Sequence, residues 1–296
     1  MIFFLQLTIT GISEGMMYAL VAIGFVVILK CSDVFNIAQG HFVMIGAYLS
    51  FTFLVLFDLP LWAAIVMVLM SAVILGVIIE RLALRPLIGQ PVLAVIMMTI
   101  ALSSVLEGLA TLVWGGEYKA YHNVLPSFAI NFNGISISAE SLIGVIVSII
   151  VVSILMLFFR YTKIGLVMRA AADDLQVVQS VGIKANTIYS VSWIIACIIG
   201  MTGGIIWGGV SGATVPLAHI AMSSFAVVLL GGANSIGGTI VAGIIVGVLK
   251  NVAAGYLDPL LPSGGGLAEV FPFIIMIIVL IFRPHGLFGL PRIERI

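Results

Sequence analysis

Charge is what this sequence has least of. Of its 296 residues, 12 are Lys or Arg and 12 are Asp or Glu, 8% in all, against 62% hydrophobic residues. A soluble domain carries roughly a quarter charged residues. Too little polar surface is present to cover a water-facing fold. The formal net charge is zero, so no nucleic acid or other polyanion is implied as a partner. Cysteine is scarce too: Cys31 and Cys197 have no spacing that suggests a disulfide framework or a metal set. No phosphate loop of the form G-x-x-x-x-G-K-[ST] occurs. If ATP drives this chain, another chain binds it. No cofactor or metal is expected here. A convincing nucleophile and base pair is also missing, which argues against an intramembrane enzyme. The first stretch lacks a basic start and a cleavage site, and reads as a retained span rather than a signal peptide.

What is abundant is long apolar sequence. A helix needs roughly 20 apolar residues to cross the hydrocarbon of a bilayer. Such runs lie at about 8–29, 37–57, 61–80, 92–113, 141–159, 187–209, 219–231, 238–256 and 269–282. They are apolar all round, whereas the strands of a membrane barrel alternate. The expected fold is therefore an all-α polytopic transmembrane helical bundle of about 8–9 spans, a single domain over 1–296. The run at 219–231 is short and reads as a half-helix or re-entrant segment.

Lys and Arg set the orientation. With the N-terminus outside, Lys30, Arg81, Arg85, Arg160, Lys163, Arg169, Lys184, Arg283, Arg292 and Arg295 all fall inside, and Lys119 outside. That puts the segment 160–186 and the C-terminus in the cytoplasm, and the loop 114–140 outside.

Polar groups at membrane depth usually face a cavity or a bundle interior. The candidates for a translocation pathway are Glu14, Tyr18, Asn36, Gln39, Gly40, His41 and Glu107. Asn36 is a plausible N-cap for the helix that follows it. Lys250, beside Asn251, is expected to snorkel outward. Glycines cluster at 200–213 and 231–238, where small residues let helices approach closely. The second cluster, "GGANSIGG", reads as a tight turn between two spans. "NIAQGHF" (36–42) and "HIAMSSF" (219–225) echo each other, and the topology runs them in opposite directions. Inverted repeats of transporters look like this.

A quarter of all charge, Arg160, Lys163, Arg169, Asp173, Asp174 and Lys184, sits in one stretch, 160–189. Gly165 is expected to break the preceding span. "LVMRAAADDLQVVQSV" (166–181) is rich in helix formers and Gly182 should end it. Leu166, Ala170, Asp173 and Val177 share one face, and Arg169 is placed to pair with Asp173. A helix lying on headgroups should have a strongly basic polar face. This one has mixed charge and small alanines, which suit a protein groove.

Six stretches together resemble one family: "GISEGMMYALVAIGF" (11–25), "NIAQGHFVMIGAY" (36–48), "ERLALRPL" (80–87), "TKIGLVMRAAADD" (162–174), "LLGGANSIGGTIVAG" (229–243) and "RPHGLFG" (283–289). In this order they are similar to the permease subunits of branched-chain amino acid ABC importers. The resemblance implies a second, homologous permease subunit, as a homodimer or heterodimer. It implies two ATP-binding subunits that hold ATP and magnesium, a soluble substrate-binding protein, and a bacterial inner membrane. It makes 165–182 the coupling-helix region that docks into an ATPase subunit, through Gly165, Arg169, Ala170, Ala171, Asp173, Asp174 and Gly182. Gln39 stands where the family commonly has His, and Asn234 where it has Gly. The family also includes permeases for urea, amides and aromatic acids, so the substrate stays open. The other reading is an ion-coupled secondary transporter, for which only Glu14 and Glu107 are at hand as intramembrane carboxylates.

Overall fold

The axis of the bundle is its first helix, α1 (Ile2–Ser32). The computed structural model describes residues 1–32, 34–121, 128–132, 135–260 and 266–289. Thirty-one residues at 1.5 Å each give a helix of about 46 Å, longer than the roughly 30 Å hydrocarbon core. Every residue of α1 from 15 to 29 is buried. A helix that is apolar all round is stable only when other helices enclose it. Here α10 (Ile236–Tyr256), α8 (Ala185–Ser211), α9 (Ile220–Gly231) and α5 (Ala139–Tyr161) pack around it.

Glycine sets two of these contacts. α1 and α10 run antiparallel with Gly11 and Gly15 against Gly247 and Gly243. A Cβ on Gly11 would come within 2.6 Å of the Val248 Cα. α2 (Gln39–Phe51) and α8 run parallel, and a Cβ on Gly46 would lie 2.5 Å from the Met201 Cα. Backbones this close leave no room for any side chain.

α3 (Leu61–Ile79), α4 (Val92–Trp114), α5 and α11 (Leu267–Phe282) turn exposed Leu, Ile, Val and Met outward, as lipid-facing helices should. Among the described residues, seven helical stretches are long and apolar enough to cross a membrane, and Val215–Gly231 and Leu267–Phe282 are shorter apolar ones. The chain is thus an all-α membrane bundle. α3 runs on past residue 80 through a π-helical turn (Glu80–Leu84) and a 3-10 turn (Arg85–Leu87). A short hairpin, β1 (Ala129–Phe132) and β2 (Ile135–Ser138), stands in the loop between α4 and α5, in the register Ala129 to Ser138 and Phe132 to Ile135. Gln6 at the start of α1 accepts from the Ser136 amide at 2.8 Å. That end of α1, the hairpin and the α8 C-terminus therefore share one face. Tyr121 on that face donates to the Ala47 carbonyl, and burial pushes its phenol pKa up.

Two helices start inside the bundle. α2 begins level with Ala196, since Gln39 Nε2 donates to the Ala196 carbonyl at 3.2 Å. Ala196 lies eleven residues into α8, about 16 Å from its start. α9 begins at the same depth: a Cβ on Gly40 would overlap the Ala218 carbonyl and come within 2.6 Å of Ala221 Cβ. α2, which continues through a π-helical turn (Thr52–Leu56), and the short α9 point their N-termini at each other and run to opposite faces. This is the geometry that the "NIAQGHF" and "HIAMSSF" echo implies, and α9 is the half-helix expected at 219–231. Backbone outside the α-helix leads into each, irregular at 34–38 and a 3-10 turn at Val215–His219. Such backbone is tolerated at membrane depth only inside protein, and Val34, Asn36 and Ala38 are all buried.

Lys30, Arg81, Arg85, Arg160, Lys163, Arg169, Lys184 and Arg283 fall on the face opposite the hairpin. Arg292, Arg295 and residues 122–127 and 133–134 of the 114–140 loop lie outside the described residues. "GGANSIGG" is the tight turn expected. Gly232 (φ 100°) closes α9 and the Ser235 side chain caps α10 by accepting from the Gly238 amide at 3.0 Å. The tail folds back on it: the Leu287 amide donates to the Leu230 carbonyl at 2.8 Å.

Candidate functional site

A cavity of about 500 Å³ opens between α1, α9, α10 and α11, just beyond the start of α9. Tyr18, His219, Ser223, Lys250 and Glu269 give it polar atoms; Ile220, Met222, Val270 and Phe273 give it apolar wall. Lys250 Nζ donates to Tyr18 Oη at 2.7 Å and lies 5.0 Å from the ring centroid. One turn earlier on α1, Glu14 accepts from Asn251 Nδ2 at 3.0 Å. Asn251 in turn accepts from Thr10 at 3.4 Å. Lys250 thus points inward and does not snorkel: Tyr18 on the antiparallel α1 offers both a hydroxyl and a π-face. The arrangement sets a cation and, on α11, a carboxylate around one space beside aliphatic walls.

Of the residues singled out in the sequence, Glu14 and Tyr18 belong to this cluster. Lys250 is singled out there as a snorkelling residue and not as part of a site, and Ser223, His219 and Glu269 are not singled out. The signal available was Lys250 and Asn251 together, two polar residues in an apolar run where lipid tolerates neither.

Asn36, Gln39, Gly40, His41 and Glu107 lie around the start of α2 instead. The N-cap of α2 is Ala38, not Asn36. Asn36 accepts from the Ala38 amide at 3.1 Å and donates to Gln39 Oε1 at 3.2 Å. Asn and Asp often bond the backbone two residues on, which is why Asn36 acts here as a turn and not as a cap. Asn36 and Gln39 are both 0% exposed. With their bonds made, they lock the non-helical entry to α2 against α8. Gln39→Leu should strand the Asn36 amide and cost about 1–3 kcal/mol. A lower unfolding midpoint of the purified protein in detergent reads this. His41 Nε2 faces Glu107 Oε2 at 3.5 Å, joining α2 to α4, and Glu107 is 53% exposed.

The segment 160–186 forms two helices where one was expected. α6 (Lys163–Asp173) is followed by α7 (Leu175–Ser180). The break before α6 falls at Thr162, whose Oγ1 accepts from the Gly165 amide at 2.9 Å. Gly165 does not break the run; it sits inside α6, where a Cβ would come within 2.7 Å of the Phe159 Cα. Glycine there lets α6 fold back tightly on the end of α5. Asp174 splits α6 from α7 because its Oδ1 accepts from the Gln176 amide at 2.8 Å, an N-cap that competes with continued helix. Arg169 and Asp173 form no ion pair within 4.0 Å among the described residues. Gly182 does end α7, with φ 91°, a conformation that disfavours other residues.

Leu166, Arg169, Ala170, Asp173 and Val177 are all exposed, while Gly165, Met168, Ala171 and Val178 face the bundle. Ala171 therefore lies on the inner side of α6, away from the exposed alanine face. Leu166, Val177 and Val181 stand 59%, 58% and 75% exposed on a face outside the membrane-length helices. Exposed apolar and charged side chains on α6 and α7 are thus available to another protein.

The family described as branched-chain amino acid transport system, permease component, matches residues 7–280. The high-affinity branched-chain amino acid transport system permease protein BraD of Pseudomonas aeruginosa is 28% identical over 307 residues, covering 99% of this chain and 98% of that protein. The corresponding LivH of Escherichia coli K12 is 28% identical over 316 residues, covering 100% and 98%. A probable branched-chain amino acid transport permease protein LivH of Methanocaldococcus jannaschii is 28% identical over 284 residues, covering 91% and 88%.

Proposed function

The chain belongs to the branched-chain amino acid transport permease family, and from that premise we propose that it carries a branched-chain amino acid, or a related small amphipathic solute, inward past the Tyr18 and Lys250 cavity. The observation that carries this reading is the cavity's chemistry. An α-amino acid brings a carboxylate, an ammonium and an aliphatic side chain. Lys250, Glu269 and the Ile220, Val270 and Phe273 walls offer a partner for each. Glu14 and Asn251 support Lys250 from behind. Asn36, Gln39, Gly40, His41 and Glu107 hold the start of α2 beside the path.

In this reading the protein is a transport subunit and not itself an enzyme. Two ATP-binding subunits hold ATP and magnesium and dock on the exposed face of α6 and α7. A second permease subunit, identical or homologous, completes the path, and a soluble binding protein delivers substrate at the hairpin face. That face is external and the α6–α7 face cytoplasmic. The gathering of eight Lys and Arg residues on the α6–α7 side supports this orientation.

The test is uptake into vesicles that hold the assembled transporter. Labelled leucine should enter only with the binding protein and ATP present. Lys250→Met should lower the rate by about tenfold or more, the loss of one charge-assisted contact of roughly 1.5–3 kcal/mol. Uptake that runs on an ion gradient without ATP would overturn the importer reading. Full uptake by the Lys250→Met protein would remove the cavity from the path.

A further inference from the structure

Three cavities follow one another along α8 on the outside of the bundle: the first between α3, α5 and α8, the second between α5, α6 and α8, the third between α6 and α8. The first, about 200 Å³, lies near the hairpin face with Glu140 at its edge. The second, about 330 Å³, is walled by aliphatic and aromatic side chains alone, among them Val151, Ile154, Phe158, Ile195 and Ile198. The third, about 180 Å³, shares Ile164 with the second and opens at Lys163 and Thr187.

We propose that the inner half of this cleft is a binding site for an anionic phospholipid, with one acyl chain in the α5–α8 groove and the headgroup phosphate at Lys163. The groove is apolar through its whole depth and becomes cationic only at its mouth, the polarity profile of a single phospholipid. Arg160 lies in the last turn of α5 and Lys184 stands at the N-cap position of α8, the ends of these two helices on the Lys163 side. Lys163 and Lys184 meet no carboxylate within 4.0 Å among the described residues, so both charges are free for an anion. Basic residues at this depth attract anionic headgroups.

A transmembrane helix from another subunit fits the cleft less well. A helix is about 10–12 Å across, and helix pairs in membranes approach through small residues. The walls here are Ile, Val and Phe, whose branched and bulky side chains leave a slot for a thin flexible chain. The site is independent of the substrate cavity, which lies across α1. Its occupant would also touch α6 through Ile164, Val167 and Met168. The lipid would thus bear on the helix to which ATPase subunits are proposed to bind.

The test places the assembled transporter in phosphatidylcholine vesicles containing phosphatidylglycerol with a photoreactive diazirine midway along one acyl chain. After irradiation, mass spectrometry maps the adducts. Labelling of 151–158 and 194–199 should exceed that of the lipid-facing Leu109, Leu112 and Val113 of α4 by about fivefold, the mark of a held chain over a passing one. Phosphatidylcholine with the same diazirine should label the groove about threefold less. Ile195→Trp should abolish the excess by filling the slot; Ile198→Phe serves if that variant does not fold. Lys163→Gln should bring phosphatidylglycerol labelling down to the phosphatidylcholine level. Equal labelling of α4 and the groove would mean surrounding lipid only and overturn the site. Equal labelling by the two lipids would overturn headgroup recognition. A disulfide between two copies carrying Ile154→Cys would show a helix in the cleft and overturn the lipid.

Discussion

Gly15→Leu should yield no folded protein. A Cβ at position 15 already lies within 2.9 Å of the Ile244 Cα, and leucine adds three more carbons against α10 backbone. Neither side can yield by rotating a side chain, because the neighbours are main-chain atoms. α1 and α10 would have to separate, and with them the longest contact in the bundle. Overpacking costs about 1–3 kcal/mol where side chains can move; against fixed backbone the cost is higher. Expression with a fluorescent tag and size-exclusion chromatography in detergent should show aggregate where the parent gives a single peak. Gly237→Ala is the control: nothing lies within 4 Å of a Cβ there, and the protein should elute normally. A monodisperse Gly15→Leu protein would mean that α1 and α10 pack less closely than the structure places them.

The second large effect is expected at α7. Val177→Glu puts a charge among the exposed apolar side chains of α6 and α7. If ATP-binding subunits bury these side chains, an unpaired carboxylate there costs several kcal/mol at the interface. Co-purified ATPase should fall by about tenfold or more, since each 1.4 kcal/mol is a factor of ten. Arg169→Glu should act in the same direction by reversing charge on α6. Both proteins should still insert and elute as the parent does, because neither side chain packs against the bundle. Normal subunit association in both variants would move the docking surface elsewhere.

Much of this was legible in the sequence, and the reasons differ by element. The long spans were plain because lipid demands about 20 apolar residues of each, and the boundaries at 92–113 and 141–159 differ from α4 and α5 by only one or two residues. The start of α2 was harder. Its helical pattern does not reveal that it begins halfway through the bundle, since depth is set by contacts with Gly24 and Ala196 on other helices. The break between α6 and α7 was hidden because three alanines favour helix, while the N-cap of Asp174 favours a new start, and the cap prevailed. Lys250 was misread because snorkelling is judged from one helix alone. Its partner Tyr18 stands 232 residues away in sequence.

The tip-to-tip meeting of α2 and α9 also bears on how the chain is made. α2 emerges early in synthesis, but the carbonyl and methyl group that close over Gly40 belong to Ala218 and Ala221. Until those residues have been translated, the non-helical entry to α2 lies uncovered on the side where α9 will sit. α9, with 12 residues, is too short to partition into lipid by itself. α9 thus depends on the helices packed around it. The packing around the start of α2 is therefore complete only once Ala218 and Ala221 of the C-terminal half are in place.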